Sequence, residues 1–518
     1  MEAFLHPLQG LAEFGEIKKR CGANCGILNV SGCMESQKVH LMYGLSGLFP
    51  YHLILADDER NAKEIYEDYR FYDKNVYFYP AKDLLFFQAD IHGNLLIRQR
   101  MRVIRALLEQ EEVTVVTSID GCMDFLMPLE KIRSRLLHFK SDSVIDLDQL
   151  KEELVELGYE RTGQVELPGQ FSVRGGIIDI YPLTEDNPWR IELWDDEVDS
   201  IRSFDAESQR SLENVDEITI YPAAEKMDGE DMVSFLDYFP EEKTLVFLDE
   251  LNHLAENGEG VEEEYRQSRM HREEKGEANL PEQWLCGFQE LQKKLNRRNC
   301  VAVSALSPRR SGWKINEEFD LTVKSVDSYN SSFELLVKDL LQYKSQGYRI
   351  ALLSGSRTRA ERLAKDLSEE GLNAFYSQDM DRIISPGEIM VVYGHARRGF
   401  QYPLIKFAVM TETDIFGKEQ KKRKKKKKYS GNRIQDFAEL SIGDLVVHEK
   451  HGLGIYRGIE KVEVDRVVKD YIKIEYRGGS NLYILATQLD ALHKYSGSSE
   501  NAKTPKLNKL GGQERNKT

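Results

Sequence analysis

Cysteine is scarce: six residues are spread over 518 positions. That density excludes a disulfide framework and fits a reducing compartment. Cys21, Cys25, Cys33 and His40 fall close together, but their spacing matches no common zinc pattern, so no metal site is expected. Excess positive charge is missing as well. A net charge of -16 and a sequence pI of about 5.4 remove any global electrostatic case for nucleic-acid binding. No apolar run approaches the roughly 18–20 residues of a membrane span. The opening Met1-Glu2-Ala3-Phe4-Leu5 has no basic region leading into an apolar one. A cytoplasmic monomer without a membrane partner is expected.

A competent nucleotide loop is also lacking. Val30-Ser31-Gly32-Cys33-Met34-Glu35-Ser36-Gln37-Lys38-Val39 follows an apolar strand and opens a helix, where a phosphate-binding loop would sit. The Walker A template G-x-x-x-x-G-K-S/T needs its second glycine for close backbone approach, its lysine for phosphate and its hydroxyl for magnesium. Gly32 and Lys38 are correctly spaced, but Gln37 replaces the glycine, Val39 replaces the hydroxyl, and Glu35 adds a negative charge. The loop reads as a remnant that holds no nucleotide. Thr244 to Glu250 has the form of a Walker B strand, an apolar run ending in two carboxylates. Without a working loop it reads as a buried strand with a solvated acidic end.

What is present begins with a βαβ rhythm. Strands are expected at 24–30, 51–56, 75–79 and 113–117, with helices at 58–72 and 95–110, which describes a parallel α/β sheet. A sheet resuming at Glu217 to Tyr221 and at 244–250 indicates one α/β domain interrupted by a smaller one. Residues 256–298 are rich in charge with sparse apolar positions, consistent with exposed helices.

The interrupting stretch, Pro168 to Arg210, is written as an antiparallel meander. Phe171 to Val173, Ile177 to Tyr181 and Trp189 to Trp194 are punctuated by Gly175-Gly176 and Asn187-Pro188. Alternation puts Arg190, Glu192 and Trp194 on one face and Ile191 and Leu193 on the other. Arginine and tryptophan on a solvated face are the residues that dominate protein–protein hot spots. The pattern equally allows Trp194 as core and Arg190 as a rim charge.

A second α/β unit starts near Ser325, with helices at 333–345 and 357–371 and strands at 348–354, 390–393 and 406–411. Its one candidate site, Gly394-His395-Ala396-Arg397-Arg398-Gly399, reads as a solvated turn or a domain contact. Lys418 to Lys428 packs nine cations and one acid into eleven residues, a disordered linker able to touch nucleic-acid phosphate weakly. Strands at 445–448, 453–464, 470–476 and 481–486, with glycines at the turns, then indicate a small closed all-β barrel. His448 and His451 beside one turn read as structural.

Two stretches carry a family resemblance. Gly169 to Asp179, with Arg190 to Glu197 and Ser208-Gln209-Arg210, resembles the UvrB-homology module of the bacterial transcription-repair coupling factors. Gly443 to His448, His451 to Gly454 and Asp470-Tyr471-Ile472 resemble their RNA-polymerase-interacting domain, related to the CarD family.

The resemblance implies an α/β multidomain chain. A degenerate helicase-like parallel sheet would occupy 1–135 and 222–325, with an inserted UvrA-binding α+β domain at 136–221. A small α/β accessory domain at 326–416, the basic linker at 417–436, the β-barrel at 437–497 and a tail at 498–518 would follow. It further implies that Arg174, Arg190 and Trp194 contact UvrA, and that Ile459, Val462 and Tyr471 mark the contact with the β subunit of RNA polymerase. The family's ATP-driven DNA translocase would follow the barrel. No complete motor motif occurs here, so the chain reads as a fragment or truncated product with no catalytic residue and no cofactor; ATP and magnesium belong to the motor. An adaptor joining stalled polymerase to UvrA is the leading expectation. The alternatives are a UvrB-like nucleotide-hydrolysing repair protein, tested at Lys38, and a CarD-type transcription regulator, against which the residues preceding the barrel argue.

Overall fold

The computed structural model describes residues 1–21, 25–82, 94–224, 232–274, 285–308, 312–417, 431–433, 443–448, 452–464, 467–476, 481–485 and 492–495. The basic run from Lys418 to Lys428, His451 and the tail from 498 lie outside them.

The continuous apolar runs form a seven-stranded, wholly parallel sheet. Its order is Ile315–Asp320, Ile27–Ser31, Cys300–Val303, Thr244–Asp249, Tyr51–Ala56, Val113–Ser118 and Val76–Tyr79. Helices cover both faces, which is why Ile27–Ser31, Thr244–Asp249 and Val113–Ser118 are buried at every position. Four strands precede residue 119 and three follow residue 243, so the sheet is completed only after the chain returns from an inserted unit.

That unit contains a six-stranded sheet ordered Ser211–Val215, Glu197–Phe204, Trp189–Trp194, Ile177–Ile180, Gln170–Arg174 and Glu160–Arg161. All its pairings are antiparallel except the last. The expectation that Glu217 to Tyr221 resumes the large sheet is corrected. Glu217–Ile220 pairs antiparallel with Leu137–Lys140 and buries Ile218 and Ile220 with Phe139 and Phe171 in the inserted unit's own core. The reading of 256–298 as exposed helices is corrected in part: Phe288–Leu295 buries Phe288, Leu291 and Leu295 at a spacing of three and four.

The accessory unit is a six-stranded sheet ordered Lys324–Ser325, Phe400–Tyr402, Phe407–Thr411, Arg349–Ser354, Glu388–Tyr393 and Asn373–Tyr376. One apolar core runs from it into the large parallel sheet, joining Phe4, Leu41 and Tyr72 to Phe400, Tyr402 and Phe407. Arg397 is a domain contact. Its Nε donates to Asp68 Oδ2 at 3.0 Å, its backbone amide to Asp68 Oδ1 at 3.0 Å, and it also pairs with Glu64. His40 crosses the same junction, with Nε2 2.9 Å from the Phe4 carbonyl and Nδ1 3.1 Å from the Tyr402 hydroxyl.

The C-terminal sheet is antiparallel throughout, ordered Gly431–Arg433, Leu492–Tyr495, Leu445–His448, Gly452–Val464, Val467–Glu475 and Asn481–Leu485. It has two strands more than the sequence pattern revealed, and the first lies inside the range assigned to the linker. Among the described residues the two end strands do not pair with each other.

His40 supplies a pH test. Burial holds its imidazole down at about 4, below the ordinary 6.5. Between those values the unfolded chain binds a proton that the folded chain refuses, so this group makes stability fall as pH drops from 6.5 towards 4. Chemical denaturation across that range should show the slope at about 1.4 kcal/mol per pH unit at most. A His40→Gln variant should lose that part of it; an identical slope in the variant would contradict the assignment.

Candidate partner-docking site

The nucleotide-loop remnant is closed by the protein itself. Only Gly32-Cys33-Met34 separates the strand Ile27–Ser31 from the helix Glu35–Ser46. Gly32 has a φ of +76°, and a Cβ there would lie 2.1 Å from the Leu321 carbonyl oxygen, so only glycine fits. The amides a phosphate would need are already used. Gly32 N–H donates to Ala305 O at 3.3 Å, Cys33 N–H to Ser304 O at 3.1 Å, and Met34 N–H to Gln37 Oε1 at 3.0 Å. Gln37 also donates to the Tyr402 hydroxyl at 3.0 Å, and Val39 is buried in the core.

Lys38 Nζ lies 2.6 Å from both Asp249 Oδ1 and Glu250 Oε1. Burial pulls its pKa down, but the two carboxylates outweigh that and raise it above the ordinary lysine value. The acidic end of Thr244–Asp249 is therefore not solvated, as the sequence reading had it: Asp249 is buried and also accepts from Asn61 Nδ2 at 2.7 Å. Cys33 and His40 bond elsewhere, to the Val30 carbonyl and across the domain junction. Among the described residues no group of three or more donors is placed to hold a metal ion.

The meander presents a different kind of site. Strand register aligns Ser172, Asp179, Arg190 and Arg202 in one row across the sheet. Ile178, Ile180, Ile191 and Val198 point into the core behind it. Asp179 is the hub and is 0% exposed. Arg190 meets it with two bonds, Nε to Oδ1 at 2.6 Å and Nη2 to Oδ2 at 2.9 Å, and Arg174 Nη2 adds a third to Oδ2 at 2.6 Å. The Arg190 guanidinium also lies 4.3 Å from the Phe204 ring centroid and donates to Gln209 Oε1 at 3.2 Å. Its pKa is raised, chiefly by the bond to Asp179. In the next row Glu192 pairs with Ser200 and accepts diagonally from Arg202 Nη1 at 2.9 Å, and that bond lowers the Glu192 pKa.

The three sequence-predicted residues thus separate. Trp194 is not core: 80% of it is exposed, at the end of Trp189–Trp194 where the hairpin turns through Asp195. Arg174 is half-exposed, with 46% of its side chain open. Arg190 is the least open of the three: its side chain is only 14% exposed and its donors face Asp179. Sequence reasoning missed Asp179, Phe204 and Gln209. A sign of Asp179 was available, as the lone acid within Ile177-Ile178-Asp179-Ile180.

Comparison with known proteins follows the same division. Residues 137–225 match the UvrB interaction domain family, and residues 440–496 match the CarD-like/TRCF RID domain family. Over 94% of its length the chain is 30% identical to the transcription-repair-coupling factor of Bacillus subtilis (strain 168). Over 86% it is 28% identical to that of Staphylococcus aureus (strain MRSA252). The chain is a relative of the transcription-repair-coupling factors. It spans about half the length of these relatives, 47% and 43% respectively.

In the region matching the CarD-like/TRCF RID domain, Ile459, Val462 and Tyr471 fall on one hairpin formed by Gly452–Val464 and Val467–Glu475. Ile459 pairs with the fully buried Ile472 and is itself partly buried. Val462 pairs with Lys469 and Tyr471 with Glu460, and the side chains of both lie outside the described residues.

Asp179 generates a stability test. Replacing it with alanine strands two guanidinium groups over an uncompensated sheet, which should cost about 2–4 kcal/mol in urea denaturation. A loss under ~0.5 kcal/mol would show that the hub carries no structural weight.

Proposed function

We propose that this chain is an adaptor in transcription-coupled DNA repair. Its 440–496 region engages RNA polymerase through the β subunit, and its inserted unit recruits UvrA. The observation that carries the UvrA assignment is Trp194, largely exposed on the same sheet face as the half-exposed Arg174, on a platform tied together by Asp179 and Arg190. A large apolar side chain and a guanidinium held in place before binding lose little entropy on docking, and residues of these types carry most interface energy. ATP-driven movement on DNA is assigned to a motor outside these 518 residues.

Titration calorimetry with UvrA tests this reading. Trp194→Ala should weaken binding by about 2–4 kcal/mol and Arg174→Ala by about 1–2 kcal/mol, with both variants folded by circular dichroism. Affinities within twofold of the parent would remove the assignment.

On this reading the remnant loop binds no nucleotide, because phosphate would have to displace three amide bonds and separate Lys38 from two carboxylates. Saturating Mg-ATP should leave the melting temperature unchanged. A concentration-dependent rise, abolished by Lys38→Ala, would favour the hydrolase alternative.

A further inference from the structure

The accessory unit shares an apolar core with the large sheet, but the inserted unit has its own. That core runs from Phe139 to Ala223, and among the described residues Ile97 is the one apolar side chain of the large-sheet domain that packs against it. Entry and return run side by side, Leu137–Lys140 against Glu217–Ile220, so the unit hangs on one double-stranded stem. The stem is fixed at its base. The Tyr159 hydroxyl donates to the Tyr221 carbonyl at 2.7 Å, Ala223 N–H donates to the Leu157 carbonyl at 2.8 Å, and the Tyr221 hydroxyl donates to Glu109 Oε1 at 2.6 Å.

A second attachment is ionic. On the helix Asn94–Glu109, Arg98, Arg102 and Arg105 fall at i, i+4 and i+7, on one face. Arg98 Nη2 donates to the Glu185 carbonyl at 3.0 Å and to Asp186 Oδ1 at 2.6 Å, and Arg102 Nη2 donates to the same Oδ1 at 2.7 Å. Arg105 pairs with the Glu185 carboxylate. Glu185 and Asp186 belong to the loop between Ile177–Ile180 and Trp189–Trp194, the strands that carry Asp179 and Arg190. Fastening this loop therefore fixes the hairpin that carries the docking row. Arg98 lies about 16 Å along the helix from Glu109, far enough for the ionic end to open while the stem holds.

We infer that Arg98, Arg102 and Arg105 with Glu185 and Asp186 form an ionic latch, pivoting on the stem at Tyr221, that sets the angle at which the docking meander is presented. The side chain of Asp186 is 82% exposed, so its two pairs lie in water, where salt screens them. A junction closed by a shared core is indifferent to salt; this one opens with it. The inference stands on the junction alone and holds whichever partner meets the meander.

Double electron–electron resonance on the full chain tests this, with spin labels at Lys74→Cys and Gln164→Cys, both exposed, in a Cys25→Ser background. The distance distribution should be narrow in low salt. Raising salt from ~0.05 M to ~0.5 M, which shortens the Debye length about threefold, should broaden it and shift its mean. Glu185→Gln with Asp186→Asn, which keeps the shape of both side chains, should give the broad distribution even in low salt. So should Glu185→Arg alone, and adding Arg105→Glu to it should restore the narrow one, because the swapped pair again meets with opposite charge. A distribution that stays narrow in the parent at high salt and in the neutral double variant would overturn the inference. A swapped variant with the parent's melting temperature but the breadth of Glu185→Arg would overturn it too.

Discussion

Asp179 is fully buried, and the polar side chains of the meander face are arranged around its carboxylate. An isolated carboxylate there would cost several kcal/mol, so Arg190 is drawn inward with both donors facing it and Arg174 is drawn across from the neighbouring strand. Phe204 closes over the Arg190 guanidinium, and Gln209, held at a φ of +58°, ties the following loop to it. Trp194 is left at the outer end of an already ordered strand. One buried carboxylate thereby separates the inward-held Arg190 from the exposed Trp194 within what the sequence presents as a single face.

The same rule governs the remnant loop. Lys38 is committed to Asp249 and Glu250, and Gln37, in the place of a glycine, bridges the Met34 amide and the Tyr402 hydroxyl. The elements that would receive a phosphate instead join the large parallel sheet to the accessory unit. Arg397 and His40 complete that junction through Asp68 and Tyr402.

Much of this was legible from pattern. The βαβ rhythm, the meander with its glycine and Asn-Pro punctuation, and the two missing Walker residues all report local constraints, and local constraints are what periodicity records. Pairing between distant segments is not local. The partner of Glu217–Ile220 is a strand some eighty residues earlier, and nothing in Glu217-Ile218-Thr219-Ile220 distinguishes an edge pair in a small domain from a strand of the large sheet. The amphipathic helix Phe288–Leu295 was diluted by the charged stretch before it. Alternation also placed Arg190 and Trp194 on one face correctly but could not show that Asp179 lies opposite Arg190, because cross-strand register depends on the turns between them.

On the proposed function Trp194 is held in solvent for a partner, and UvrA covers it. Hydroxyl-radical footprinting of the chain alone and with saturating UvrA measures this at the residue itself. Trp194 should be among the most rapidly oxidised side chains in the free protein and strongly protected in the complex, while the buried Trp313 reacts slowly in both. Equal oxidation of Trp194 with and without bound UvrA would rule out that docking.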